Sequence, residues 1–247
     1  MATRDLVWDG CINVRDLGGL PTEDGRSTRS GSVIRADSVG LLSRAGWEAV
    51  AEAGVARIVD LRQEDEAVDD PPRELPIEVV DVPIFDGLDD EDWATVEALA
   101  AGAATSAESQ RRVYLHFLDR ARHRFVAAVA AVAGAPEGAV VVHCHGGKDR
   151  TGIVVALLLR LAGVPIDVIA ADYALSGERL RPRHERWFAS AESDEERARI
   201  ERIAATPVEA MHAVLETLDQ QYGGVERYLL DGGLPPETVE AARSRLR

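Results

Sequence analysis

The sequence predicts an α/β domain with a small, mainly parallel central sheet, helices on both faces and a helical C-terminal region. Residues 138–142 are small and β-branched, which is typical of a strand buried on both faces. Residues 153–162, beyond a short loop, are apolar and have the length of a helix. Earlier, a helix pattern at 38–54 precedes a strand pattern at 55–62, and this alternation indicates the α/β class. We therefore expect one domain over residues 1–247.

Turn signals and apolar spacing predict the remaining elements of the first half. Short strands are expected within residues 11–36, and the segment 76–84 is expected to be a strand that ends near Asp86. Acidic residues and two prolines place 64–74 in a surface turn. The long apolar pattern of 111–133 predicts one helix before the central strand.

Helical patterns dominate the second half of the chain. Residues 166–176 predict one helix, and 178–247 predict a helical C-terminal region. Residues 88–108 are acidic at first and then rich in alanine. They predict one or two helices of weak core character, which fit either a lid over a site or a permanently packed surface helix.

Composition excludes several classes of protein. The net charge of −15 speaks against binding to nucleic acid and against adsorption to anionic membranes. No apolar run approaches the ~18 residues of a membrane span, and residues 1–20 lack an apolar signal-peptide core. Two cysteines leave no basis for a disulfide framework or a zinc cluster. We expect a cytoplasmic protein without stable membrane insertion, and secretion without a signal peptide is the alternative.

The loop 143–152 joins the predicted central strand to the predicted buried helix. A helix N-terminus offers unpaired N–H groups and a partial positive charge, so an anion can bind there. Gly146 and Gly147 allow the backbone to curl into an anion nest, to which His145 and Lys148 also contribute. The loop therefore predicts a phosphate-binding site.

Cys144 lies at the rim of this nest. Cationic groups and a helix N-terminus lower the pKa of a cysteine, so we expect a nucleophilic thiolate. Arg150 can grip two oxygens of a tetrahedral anion with its planar fork. Cys11 has no such surroundings in sequence and is expected to be an inert core thiol.

The string H-C-x-x-G-x-x-R-[ST] resembles the signature of the cysteine-dependent protein tyrosine phosphatase superfamily. The longer string 143–152, with N-V-R-D-L-G-G at 13–19 and Y-G-G-V at 222–225, is similar to the bacterial tyrosine/serine phosphatase family. That family includes secreted phosphatases that act on phosphoproteins and phosphoinositides. Taken alone, Arg15 and Asp16 are interpreted as surface charges, whereas the resemblance implies that they lie near the active loop.

The expected chemistry is phosphomonoester hydrolysis in two steps, without metal or other cofactor. Cys144 attacks phosphorus while the loop amides and Arg150 hold the oxygens, and water then hydrolyses the phosphocysteine. Thr151 is expected to donate a hydrogen bond to the sulfur. His143 is expected to orient the loop.

Two aspartates compete for the role of general acid. Asp149 lies within the loop, and the G-K-D-R string resembles family members in which this aspartate is important. Asp86 ends the preceding strand; the strand ends near Arg62, Asp86 and Cys144 should meet at one edge of the sheet. An aspartate beside two cations is a poor acid, whereas one on a closing loop is a better one, so both stay open.

Lys148 is the single lysine among 28 basic residues. We expect a compact ammonium beside the phosphate, where a second arginine fork would compete with Arg150. A lysine at this place also occurs in loops that resemble those of 3-phosphoinositide phosphatases. The expected partner is therefore a phosphorylated protein or a phosphoinositide.

Two other functions fit parts of this pattern. A phosphate-binding module that has lost catalysis would keep the nest, but the intact Cys144 and Arg150 argue against it. A rhodanese-like sulfur carrier also cradles a cysteine before a helix. Its loop is shorter, and the five residues between Cys144 and Arg150 disfavour it.

Overall fold

A computed structural model describes residues 4–68, 70 and 77–247, and its centre is a five-stranded sheet. The strands follow the order β1-β2-β5-β3-β4, with β2, β5, β3 and β4 parallel and β1 antiparallel at the edge. Their bounds are β1 Arg15–Asp16, β2 Val33–Ala36, β3 Val55–Asp60, β4 Glu78–Asp81 and β5 Ala139–His143. The predicted α/β class with a mainly parallel sheet is confirmed.

Helices cover both faces of this sheet. They are α1 Arg44–Glu52, α2 Asp90–Ala101, α3 Ser106–Arg120, α4 Arg122–Ala133, α5 Asp149–Leu161, α6 Ile166–Ala189, α7 Asp194–Ala204, α8 Val208–Tyr222, α9 Val225–Asp231 and α10 Pro236–Leu246. Two 3₁₀ turns, Val39–Leu41 and Glu64–Ala67, connect them to the strands. Within the described residues, none of the helices is both long and apolar enough to span a bilayer.

Strand β5 lies at the centre of the sheet and is buried along its whole length. Its last residue, His143, pairs with Ala36 at the end of β2 and with Asp60 at the end of β3. The carboxyl ends of three parallel strands therefore meet at one edge, which is where ligands collect in open α/β sheets. The loop that follows His143 begins at this edge and leads into α5.

Three helix predictions need correction. The segment 38–54 is a 3₁₀ turn followed by α1, which starts after Ser43 because the Ser43 hydroxyl caps Gly46 N at 3.2 Å. The segment 111–133 is two helices that meet at Ala121. Helix α6 runs unbroken through Gly177, where a Cβ would lie 2.2 Å from Thr206 Oγ1. That glycine permits close packing and does not end the helix.

The predicted strand 76–84 is shorter in the structure. Residue 76 lies outside the described residues, and β4 ends at Asp81. Asp86 belongs to a turn beyond it, where its N–H donates to Pro83 O at 3.2 Å.

The C-terminal helices contribute to the same apolar core as the sheet. Met211 of α8, Tyr228 of α9 and Leu246 of α10 are fully buried and belong to one cluster with Val140 and Val142 of β5. Helix α8 also packs against α3 and α6. The end of α7 lies next to the loop that follows β5, because the Lys148 ammonium donates to Ile203 O.

Candidate active site

Cys144 lies in the loop between β5 and α5 and is 3% exposed. It lines a cavity of about 460 Å³ at the carboxyl edge of the sheet. Loop 144–148, the start of α5, and helices α6 and α7 form the walls. The lining residues are Glu66, Cys144, His145, Gly146, Lys148, Asp149, Arg150, Leu180, Arg183, His184, Trp187, Ile203 and Ala204.

The loop backbone is held from the side opposite the cavity. Asn13 Nδ2 donates to the carbonyls of Gly146 at 2.9 Å and Gly147 at 3.1 Å, and Arg35 Nη2 donates to Gly147 O at 2.7 Å. Gly147 has φ +63°, and a Cβ there would lie 2.3 Å from Ala36 O. Only glycine fits this turn. The carbonyls of Gly146 and Gly147 are bonded to side chains that do not line the cavity, which is compatible with the predicted anion nest.

A buried ion cluster supports the loop from below. Asp172 accepts from Arg15 Nε at 3.0 Å and from Arg35 Nη1 at 2.9 Å. Burial alone would raise the pKa of Asp172, but Arg15 and Arg35 hold it well below its usual range. Arg15 Nη1 also donates to Asn13 Oδ1 at 2.7 Å. The structure thus places Arg15 behind the loop, linked to it through Asn13, and not in the cavity.

Three other predicted supporting residues lie outside the cavity lining. Asp16 accepts from Gly18 N and Gly31 N at 2.9 and 2.7 Å and so fixes a turn. Arg62 Nη2 pairs with Asp60 Oδ2 at 2.7 Å. His143 is fully buried, with Nε2 3.4 Å from the same oxygen. These contacts brace the ends of β3 and β5.

Arg150 is held by Glu66, a residue that the sequence patterns did not single out. Arg150 Nη2 donates to Glu66 Oε1 at 2.7 Å, and Nη1 donates to Oε2. Burial would lower the pKa of Arg150, but the hydrogen bonds with Glu66 outweigh it and raise that pKa. Glu66 is itself fixed by a bond from Gln63 N at 2.9 Å. A fully charged guanidinium is therefore held in one orientation beside Cys144.

Lys148 is 5% exposed and joins the loop to the end of α7. Its ammonium donates to Ile203 O and to Ala205 O, the latter at 3.4 Å, and lies 3.2 Å from Asp149 Oδ1. The ammonium that we expected beside the phosphate is therefore hydrogen-bonded to acceptors of this chain in the structure. It still lines the cavity.

Asp149 lines the cavity and contacts a row of buried hydroxyl groups. The Tyr114 hydroxyl hydrogen-bonds to Asp149 Oδ1 and lies 2.8 Å from the Tyr173 hydroxyl. Tyr173 donates to Gln110 Oε1 at 2.8 Å, and Gln110 Nε2 donates to Ala205 O. Burial raises the pKa values of both tyrosines, so both are neutral phenols.

Asp86 does not reach the cavity, contrary to the expectation that it faces the phosphate. Its carboxylate pairs with Arg124 and its side chain is 54% exposed. The turn after β4 carries it away from the loop. Among the described residues, the predicted lid segment 88–108 supplies no lining residue; the cavity is covered by α6 and α7, through Leu180, Trp187 and Ile203.

Three further observations concern the remaining predictions about the site and its chemistry. Thr151 is fully buried, and its Oγ1 has no hydrogen-bond partner within the described part of the chain. Cys11 Sγ lies 3.3 Å from Ser38 O, and burial and then Asp37 raise its pKa well above the usual range. The ranges 4–68, 70 and 77–247 contain no group of three His, Cys, Asp or Glu side chains that could hold a metal ion.

Comparisons with known proteins place this chain in a family. The profile described as the tyrosine phosphatase family matches residues 6–247. The triple specificity protein phosphatase PtpB of Mycobacterium tuberculosis is 30% identical over 100% of this chain and 99% of its own length. A tyrosine-protein phosphatase of Nostoc commune is 29% identical over 86% of this chain and 73% of its own.

Proposed function

The chain belongs to the tyrosine phosphatase family and is a protein tyrosine phosphatase, and we propose that it acts through a covalent phosphocysteine at Cys144. One observation carries this proposal: Cys144 and Arg150 line the same cavity, and Glu66 fixes the arginine fork. A thiolate nucleophile beside an oriented guanidinium suits attack on a phosphate monoester.

In the first step the Cys144 sulfur forms a bond to phosphorus as the bond to the ester oxygen breaks. The loop amides and Arg150 bind the non-bridging oxygens, and Asp149 gives its proton to the leaving oxygen. In the second step water attacks phosphorus and Asp149 takes a proton from it. The sulfur then leaves with the help of the buried Thr151 hydroxyl, and inorganic phosphate is released.

Asp149 is the better candidate for the acid because it lines the cavity, whereas Asp86 is exposed and paired with Arg124. A general acid has to reach the leaving oxygen within hydrogen-bond distance. The position of Asp149 at the first residue of α5, in the same cavity lining as Cys144, supports this role for a phosphate bound at the loop.

The proposed substrates are phosphotyrosine and phosphoserine in proteins, and phosphoinositides. The relative named as a triple specificity phosphatase supports more than one class of phosphomonoester. Arg183, which pairs with Asp37, and Lys148, which pairs with Asp149, are cationic residues of the cavity lining, and Trp187 adds an apolar side chain to it. Positive charge next to the catalytic loop suits substrates with further phosphate or acidic groups.

The experiment is hydrolysis of p-nitrophenyl phosphate by the purified protein with chelator present. Wild type and Cys11→Ser should turn over, and Cys144→Ser should not. A panel of phosphotyrosine peptide, phosphoserine peptide and 3-phosphoinositide then ranks the substrates. Turnover that survives Cys144→Ser would refute the mechanism. Phosphate binding without turnover would identify an inactive module, and thiocyanate formation from thiosulfate would identify a sulfur carrier.

A further inference from the structure

A row of hydrogen-bonding groups runs from Asp149 through Tyr114 and Tyr173 to Gln110. It contains more oxygen–oxygen contacts than the two tyrosine hydroxyls have hydrogen atoms to donate. Three close oxygen pairs occur in it: Asp149 with Tyr114, Tyr114 with Tyr173 at 2.8 Å, and Tyr173 with Gln110 Oε1 at 2.8 Å. Each pair needs one hydrogen atom to be a hydrogen bond. The two neutral phenols bring only two.

The amide of Gln110 cannot supply the third hydrogen. Its Nε2 faces the carbonyl of Ala205, which can only accept. A flipped amide would bring two carbonyl oxygens into contact, so the orientation with Oε1 toward Tyr173 is the one that the network allows. Gln110 therefore accepts from Tyr173, and Tyr173 has no hydrogen left for Tyr114.

We propose that Tyr114, Tyr173 and Gln110 are positioning residues that keep a proton on Asp149, because only a protonated carboxyl completes the row. In this arrangement Asp149 donates to Tyr114, Tyr114 donates to Tyr173, and Tyr173 donates to Gln110. The inference rests on the proposed role of Asp149 as general acid. It explains how an aspartate beside cations can hold the proton that a leaving alkoxide requires.

The burial of the row makes a missing hydrogen costly. Tyr114 is 2% exposed, Tyr173 1% and Gln110 6%, so water has little access to the phenol oxygens. An ionised Asp149 would leave one of the pairs as two facing lone pairs in a dry environment. Asp149 itself is half-exposed toward the cavity, where a substrate can take the proton.

Charged and titratable side chains of the neighbouring elements surround Asp149. Lys148, 3.2 Å away, and Arg150 from α5 favour the ionised form. Glu66, on the 3₁₀ turn after β3, offsets the charge of Arg150. His184 of α6 has its pKa lowered by burial and then by Lys148, so it is neutral near pH 7. The hydroxyl row favours the protonated carboxyl of Asp149, which is the opposite of the effect of the two cations.

Substitution of Tyr173 by Phe tests the proton count. Without the Tyr173 oxygen, the single hydrogen of Tyr114 is free to bind an Asp149 carboxylate, so the ionised form gains a partner. The alkaline limb of kcat/KM for an alkyl phosphate should therefore move to lower pH by about one unit. The matched control is Tyr228→Phe, which removes another buried hydroxyl, bonded to Leu118 O at 2.6 Å and separate from the row. It should leave the limb in place.

A second measurement does not depend on turnover. Near neutral pH the infrared spectrum of the wild type should contain a carboxylic-acid carbonyl band that is absent in Asp149→Asn and weaker in Tyr173→Phe. Hydrolysis of p-nitrophenyl phosphate reports separately whether the site and the proposed function are intact. An unmoved limb in an active Tyr173→Phe variant, or the lack of an Asp149 band in the wild type, would overturn the inference.

Discussion

The carboxylate of Glu66 holds the guanidinium of Arg150 with both of its oxygens, with Arg150 Nη2 2.7 Å from Glu66 Oε1. The two residues are 84 positions apart in the chain. The 3₁₀ turn after β3 brings Glu66 to the cavity, where it lies beside the catalytic loop. The orientation of the phosphate-binding arginine therefore depends on the turn that follows the neighbouring strand β3.

Glu66→Gln should lower kcat/KM on p-nitrophenyl phosphate by about tenfold or more, because the fork loses one charged acceptor and its fixed orientation. Glu64→Gln is the matched control, since Glu64 is exposed on the same 3₁₀ turn. Steady-state kinetics of both variants are the measurement. Equal rates for Glu66→Gln and wild type would show that Arg150 does not need this partner.

Asp172→Asn should destabilise the fold by about 3–5 kcal/mol, because two buried arginines lose their common carboxylate. The pKa of Asp172 is held below its ordinary value, so its contribution is present above about pH 4 and lost as the pH falls further. Urea unfolding at several pH values measures this. Asp167→Asn, at an exposed position of α6, should cost little. A gap between wild type and Asp172→Asn that persists unchanged at low pH would contradict the account.

Cys144 should react before Cys11 with iodoacetate at about pH 6. Burial and Asp37 raise the pKa of Cys11, which leaves it a protonated and weak nucleophile. Mass spectrometry of the labelled peptides identifies the site, and inorganic phosphate should protect Cys144. Preferential labelling of Cys11 would mean that the nucleophile has been misidentified.

Asp149→Asn should slow alkyl phosphates by a factor within the ~10²–10⁴ range of acid–base catalysis and spare the first step with esters of acidic phenols. Asp86→Asn is the control, because its carboxylate is exposed and pairs with Arg124. Rates against leaving-group acidity for both variants give the comparison. A steep dependence in Asp86→Asn alone would transfer the role to Asp86.

The parts of this molecule that depend on neighbours in sequence could be predicted. The apolar strand β5, the glycines of the loop and the helix α5 lie in one continuous stretch, so their spacing predicts the nest, Cys144 and Arg150 together. The α/β class followed from the same local patterns.

The partners of the loop could not be predicted, because tertiary packing brings them together. Asp172 lies 157 residues from Arg15, and Tyr114 lies 35 residues from Asp149. Glu66 belongs to an acidic stretch whose pattern indicates only solvent exposure. Asp86 was expected at the cavity from the end of its strand, but the turn after β4 directs it to Arg124. Local spacing carries no information on such directions.

The most direct test of the account is to trap the phosphocysteine. Asp149→Asn, mixed with p-nitrophenyl phosphate and quenched in acid, should release a burst of p-nitrophenol, because this leaving group needs no acid and the second step lacks its base. Mass spectrometry should then find one phosphoryl group on the peptide that contains Cys144. A burst without phosphate on Cys144, or phosphate on another residue, would contradict the mechanism.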